Sequence, residues 1–190
     1  LFIRVGIMVR LLEDNFASND FSKWSPGVQD SINPAGTAMV VSGVAQLHLE
    51  PSTTYNGYIR LAQSVTATEL YARAFFYVAN GLPFPTENDR FYIIRIVNSL
   101  NQYLGLLGIR KNVGVDKWTF VGKDLTPFAT VKYGSAVPST PQWICVELHL
   151  SIAVNGGFEI FINGVKDFDY YGDTSTWDIT RVEFGIPLRA

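Results

Sequence analysis

The chain is poor in cysteine, histidine and charge. Of its 190 residues one is Cys and two are His, and charged side chains make up only 17%. The lone thiol, Cys145, excludes an internal disulfide and any cysteine-based zinc site. With only His48 and His149 present, a three-histidine zinc site is excluded as well. Two histidines plus Glu147 would need all three on one face. Fifteen basic residues against seventeen acidic ones give a net charge of −2, and the charges are scattered. Nothing in that distribution would track a phosphate backbone, which argues against a nucleic-acid partner. Sequons of the N-x-S/T kind, a G-x-S-x-G nucleophile turn and glycine-rich phosphate loops are all missing.

Long apolar runs are missing too. The opening LFIRVGIMVRLLED is interrupted by Arg4 and Arg10 and is too short to cross a bilayer, so membrane insertion is not expected. No small-residue cleavage site follows it, so it does not resemble a signal peptide. A first residue of Leu rather than Met reads as a piece of a longer precursor, whose secretion signal would lie upstream. Alternation in Val5–Glu13 predicts a strand, and an edge strand at residues 1–10 is a route to self-association with another copy.

What is abundant is apolar and aromatic. Hydrophobic residues reach 47% and aromatics 14%, enough for a core without disulfide or metal staples. The periodicity is two rather than 3.6. Strands are predicted at Val5–Glu13, Ala38–Val41, Ala45–Leu49, Tyr58–Gln63, Leu70–Ala79, Arg90–Val97, Gln102–Arg110, Trp118–Val121, Ile144–Ile152, Phe158–Asn163 and Arg181–Pro187. Turn residues separate them, among them Asn112-Val-Gly114, Asn155-Gly-Gly157 and Asn163-Gly164. Many short strands at regular spacing predict an all-β fold, a two-sheet antiparallel β-sandwich of jelly-roll type. No repeat or linker divides the chain, so residues 11–190 are read as one domain after an N-terminal extension or edge strand at 1–10.

Alternation also assigns faces. Ile144, Val146, Leu148, Leu150 and Ile152 form one wholly apolar side of a strand, opposite Cys145, Glu147, His149 and Ser151. Leu70, Ala72, Ala74, Phe76 and Val78 oppose Tyr71, Arg73, Phe75 and Tyr77. Each strand therefore has a dry side and a mixed side, and the mixed side is rich in Tyr, Phe, Arg and Glu.

Four stretches resemble the concanavalin A-like lectin/glucanase superfamily, and within it the laminin-G-like jelly rolls. They are LLEDNFASNDFSKW (Leu11 to Trp24), the pair Leu70 to Val78 and Asn88 to Ile96, the segment WICVELHLSIAVNGGFEIFING (Trp143 to Gly164), and the closing Ile179 to Ile186. The resemblance implies a glycan- or protein-binding module of a secreted or surface protein, hence an extracellular location. It implies, as an alternative, a glycoside hydrolase or polysaccharide lyase working on the concave sheet. The laminarinase-type E-x-D-x-x-E strand and the alginate-lyase-type Q-I-H strand are absent. The resemblance also implies calcium held by loop Asp and Asn residues, for which Asp14, Asn15, Asp89 and Asp173 are the residue types required.

Glu147 and His149 emerge from one strand face roughly 7 Å apart. A carboxylate beside an imidazole suits acid/base work, metal binding or simply a hydrated polar face. Arg73 and Arg95 are expected on the same face, where guanidinium groups would receive an acidic or hydroxyl-rich sugar or form structural ion pairs. Cys145 could form a thiolate–imidazolium pair with His149, but Glu147 between them opposes it. Flat rings stack on the C–H faces of sugars. The candidates are Tyr55, Tyr58, Tyr71, Tyr77, Tyr92, Tyr103, Trp118, Tyr133, Tyr170, Tyr171 and Trp177. Tyr170, Tyr171 and Trp177, placed in a loop at Asp167–Asp178, are expected to be the most exposed.

Three readings of function follow. The first is a non-catalytic carbohydrate-binding or adhesive module that takes a polysaccharide or glycoconjugate. The second is a glycoside hydrolase or polysaccharide lyase using Glu147 and His149, and the third a coat or filament subunit that assembles through its first strand.

Overall fold

The computed structural model describes residues 37–41, 44–48, 57–61, 68–78, 82–122 and 130–189, and among these described residues it has twelve strands and no helix. The predicted strand Val5–Glu13 and the candidates Asp14, Asn15 and Tyr55 lie outside these residues, as do the side chains of His48 and Tyr58. The strands are β1 (Thr37–Val41), β2 (Val44–His48), β3 (Gly57–Leu61), β4 (Glu69–Val78), β5 (Arg90–Asn98) and β6 (Tyr103–Asn112). They continue as β7 (Val115–Gly122), β8 (Thr130–Ala136), β9 (Gln142–Ser151), β10 (Gly156–Ile162), β11 (Val165–Gly172) and β12 (Ile179–Arg189).

Two antiparallel sheets build the sandwich. One has four strands in the order β11-β10-β9-β4, the other six in the order β3-β12-β5-β6-β7-β8, and β1 and β2 pair separately. Apolar halves of the alternation meet between the sheets. Val146, Leu148, Leu150 and Ile160 from the four-stranded sheet, and Ile94, Ile96, Leu107, Ile109, Trp118 and Phe120 from the six-stranded one, are at most 1% exposed. Phe120 and Phe158 bridge the layers with ring centroids 3.8 Å apart. Burial of this apolar surface, at ~25 cal/mol per Å², is the main force holding the two sheets together.

The turns follow the sequence chemistry. Asn163 and Gly164 both take positive φ (52° and 79°), the requirement of a two-residue turn between β10 and β11. The turn between β6 and β7 has Val113 at φ 52°, a conformation that disfavours a β-branched residue. The Glu87 carboxylate holds it by accepting the Val113 and Gly114 amides at 2.7 and 3.1 Å.

Two strands lack a clear sequence signal. β8 contains Gly134, where an added Cβ would lie 2.0 Å from Asp167 Oδ2 and 2.4 Å from Phe168. Glycine there lets β8 approach β11 from the other sheet, and Asp167 accepts the Ser135 amide at 3.0–3.1 Å. β11 was expected to be a loop. A bulge at Ile160/Phe161 against Asp167 breaks its alternation, so Lys166, Asp169 and Tyr171 share one face while Phe168 and Tyr170 pack inward.

Candidate functional site

Register turns the outward halves of β4, β9, β10 and β11 into rows that run across the four-stranded sheet. Tyr71, His149, Glu159 and Asp169 are successive cross-strand partners, and the next row is Arg73, Glu147, Phe161 and Lys166. Beyond these lie Phe75 opposite Cys145, then Tyr77 opposite Trp143. On β9 and β10 alternation dictates this face, because Cys145, Glu147, His149 and Glu159 each sit between inward core neighbours.

The polar rows are internally bonded. His149 Nδ1 lies 2.9 Å from Glu159 Oε2. A carboxylate only accepts, so Nδ1 carries the hydrogen. Nε2 is buried and has no hydrogen-bond partner among the described residues. Tyr71 lies flat on the imidazole, with centroids 4.2 Å apart and planes within 6°. Lys166 Nζ donates to Glu159 Oε1 at 3.1 Å, and the Tyr171 hydroxyl donates to the same oxygen at 3.0 Å. Three donors on one carboxylate, His149 foremost, hold the Glu159 pKa down at about 2. Asp169, 2.6 Å from Nζ, and Glu159 keep Lys166 protonated well above its usual range.

Arg73 Nη2 meets Glu147 Oε2 at 3.0 Å. Glu147 Oε1 lies 3.7 Å from Cys145 Sγ. Burial first, and then the neighbouring carboxylate, raise the Cys145 pKa, so the thiolate that a nucleophile needs is disfavoured.

Around these ion pairs the sheet exposes rings. Tyr71, Phe75, Tyr77, Trp143 and Tyr171 are 51, 65, 51, 52 and 61% exposed. Tyr77 and Trp143 touch at 5.3 Å between centroids.

The structure therefore brings Arg73, Glu147, His149, Tyr71 and Tyr171 together on one face, and it separates five other candidates from them. Arg95 lies on β5 of the six-stranded sheet, where its partner is the fully buried Glu183. The sequence shows which way a side chain points on its strand, but not which sheet the strand joins. Trp177, expected to be exposed, is 9% exposed and belongs to the core. Its loop is turned inward by Thr174, whose hydroxyl donates to Ser151 O at 2.6 Å and accepts the Ala153 amide at 3.1 Å. Tyr170 packs against the core from β11, and Tyr92 and Trp118 are buried. Glu159, Lys166 and Trp143 enter the site without having been singled out. For Glu159 the signal was present, since it alternates with Phe158 and Ile160 directly across the hairpin from His149.

Of the calcium candidates, Asp89 and Asp173 lie among the described residues, and each serves a turn. The Asp89 side chain accepts the Thr86 amide at 3.1 Å, and Asp173 accepts the Ser175 amide and hydroxyl at 2.9 and 2.6 Å. Each carboxylate closes its own turn. Among the described residues no three His, Cys, Asp or Glu side chains come together as a metal site.

No family model matches the chain, and no curated protein does. Solved structures do. An endo-β-1,4-glucuronan lyase from the fungus Trichoderma reesei aligns with a TM-score of 0.58 at 17% identity, over 88% of this chain and 82% of that one. The cellulose-induced protein Cip1 aligns at 0.51 with 21% identity, over 92% and 88% of the two chains. The alginate lyase Aly36B aligns at 0.52 with 14% identity, over 82% and 77%. At these identities the likeness is one of fold: the chain is an antiparallel β-sandwich of jelly-roll type.

Proposed function

We propose that this chain is a carbohydrate-binding module of an extracellular or surface protein, of the laminin-G-like kind, and that it holds glycan along the outer face of its four-stranded sheet. One observation carries the reading: five large aromatic side chains are more than half exposed on a single sheet face whose reverse is core. Along β4 the outward rings of Tyr71, Phe75 and Tyr77 stand roughly 13 and 7 Å apart, with Arg73 between the first two, so an extended polysaccharide lying along the strand meets rings and a cation in turn. Apolar surface of this extent on a face otherwise built of ion pairs marks an interaction site. Arg73, Glu147, Lys166 and Glu159 supply hydrogen-bonding groups for sugar hydroxyls between the rings. Two of the similar structures are polysaccharide lyases, which supports a glycan as the ligand. A glycan-array screen of the wild-type chain tests it, with retention of one or more polysaccharides expected. Retention of none contradicts the reading.

A second reading, a polysaccharide lyase, is favoured by the His149–Glu159 pair. β-Elimination from a uronate needs a base for the C5 proton, a donor for the departing oxygen and a cation at the carboxylate. His149, Tyr171 and Lys166 are groups of those three types, joined through Glu159. Against it, His149 Nε2 lies buried beside the Tyr71 ring, where substrate does not reach it. Ultraviolet absorbance from the unsaturated product, followed on uronate polymers, separates lyase from binding module. The self-association expected of residues 1–10 concerns residues outside those described.

A further inference from the structure

The six-stranded sheet carries a feature that the glycan reading does not use and on which it does not depend. At the end of the sheet near the β6–β7 turn, Arg90, Arg110 and Lys117 are direct cross-strand partners on β5, β6 and β7. They stand on the face away from the core, since their neighbours Phe91, Ile109 and Trp118 point inward. Cross-strand partners are about 5 Å apart at Cα, and like charges placed there repel. A row of opposed cations is normally relieved by interleaved carboxylates. Here none of the three has an ion-pair partner among the described residues.

The groups around them are neutral or already committed. Arg110 Nη2 donates to Asn88 Oδ1 at 2.7 Å, and Arg90 Nη1 donates to Asn88 O at 3.3 Å. The Arg110 guanidinium lies 5.9 Å from the centre of the Tyr133 ring, and its Nε is buried without a hydrogen-bond partner. Glu87, whose carboxylate feels the Arg110 charge, spends both oxygens on the Val113 and Gly114 amides. All three cations are partly buried, so their charges are screened less than those of fully exposed side chains. We propose that the Arg90–Arg110–Lys117 row is a binding site for an anionic polysaccharide, taking its carboxylate or sulfate groups on the face of the sandwich opposite the aromatic rows. The occupant is argued from charge complementarity. Regularly spaced anions would relieve the repulsion, and Arg110, held against Tyr133 and Asn88, offers a preset fork for a two-oxygen group.

Isothermal titration of the full chain with polygalacturonate and with dextran sulfate tests this. Binding is expected at low ionic strength and is expected to fade near ~0.5 M salt, where screening is short-ranged. Arg110→Gln is expected to weaken it about tenfold. Lys117→Gln, which disturbs no described contact, is expected to weaken it about threefold even if Arg110→Gln folds poorly. Binding of polygalacturonate alone identifies carboxylates as the ligand groups, dextran sulfate alone identifies sulfates, and either result supports the site. Trp143→Ala keeps this site apart from the aromatic rows, because polyanion binding is expected to survive it. Failure of both polymers to bind at low salt, or titrations of Lys117→Gln and Arg110→Gln that match wild type, would overturn the proposal.

Discussion

The two outer faces of this sandwich handle charge and aromatic surface in opposite ways. On the four-stranded sheet, rings stand in solvent and ion pairs are open. Arg73 and Glu147 have side chains 65 and 26% exposed, and Lys166 and Glu159 45 and 24%. On the six-stranded sheet, Glu183 is completely buried between Arg95 and Arg181, and Tyr92, Leu106 and Val121 form a small buried apolar cluster with Val131 against it. Similar residue types thus serve different ends. Exposed pairs contribute little to stability and remain available to a ligand, whereas a buried carboxylate between two guanidinium groups is costly to disturb.

Breaking the second face should have the largest effect. Glu183→Ala leaves Arg95 and Arg181 half-buried without their shared anion, and a loss of about 3–5 kcal/mol is expected in urea unfolding. Trp177→Ala should cost about 3 kcal/mol by the same measurement, because it empties core volume. Its effect on glycan binding should be no greater than that loss of fold explains. A Trp177 variant of wild-type stability would put this residue back on the surface.

The exposed face should behave the other way. Trp143→Ala is expected to change unfolding free energy by less than about 0.5 kcal/mol, and to weaken glycan binding by about 1–2 kcal/mol. The smallest effect belongs to Glu159. Its folded-state pKa, about 2, lies below the ordinary 4.5. The stabilisation from its ion pairs is therefore complete above pH ~4.5 and is lost as pH falls toward 2. Solvent screening limits that stabilisation to about 1 kcal/mol. Glu159→Gln should flatten the pH dependence of unfolding over that window and leave it unchanged near neutrality. An equal slope in wild type and Glu159→Gln would show that the hydrogen bonds to this carboxylate carry no weight.

Much of this contrast was legible in the sequence, strand by strand. The alternation of Ile144–Ile152 identified both the buried half and the outward Glu147 and His149, because a side chain's face depends only on its own strand. Arg73 joined them because its strand, β4, pairs with β9. Arg95 did not, because pairing between distant strands is decided by the packing of the whole sandwich. Trp177 was misread for a related reason: the buried Thr174 draws a connecting segment into the core, and local polarity does not reveal such a contact. Lys166 escaped notice because a single bulge shifted its strand out of period.

The most direct test of the account is affinity electrophoresis of wild type and Trp143→Ala in gels containing a polysaccharide that the wild-type chain retains, with thermal unfolding run alongside. The account predicts that Trp143→Ala migrates faster than wild type in the polysaccharide gel, alike in the blank gel, and melts at the same temperature. Equal retardation of the two proteins in the polysaccharide gel would contradict it.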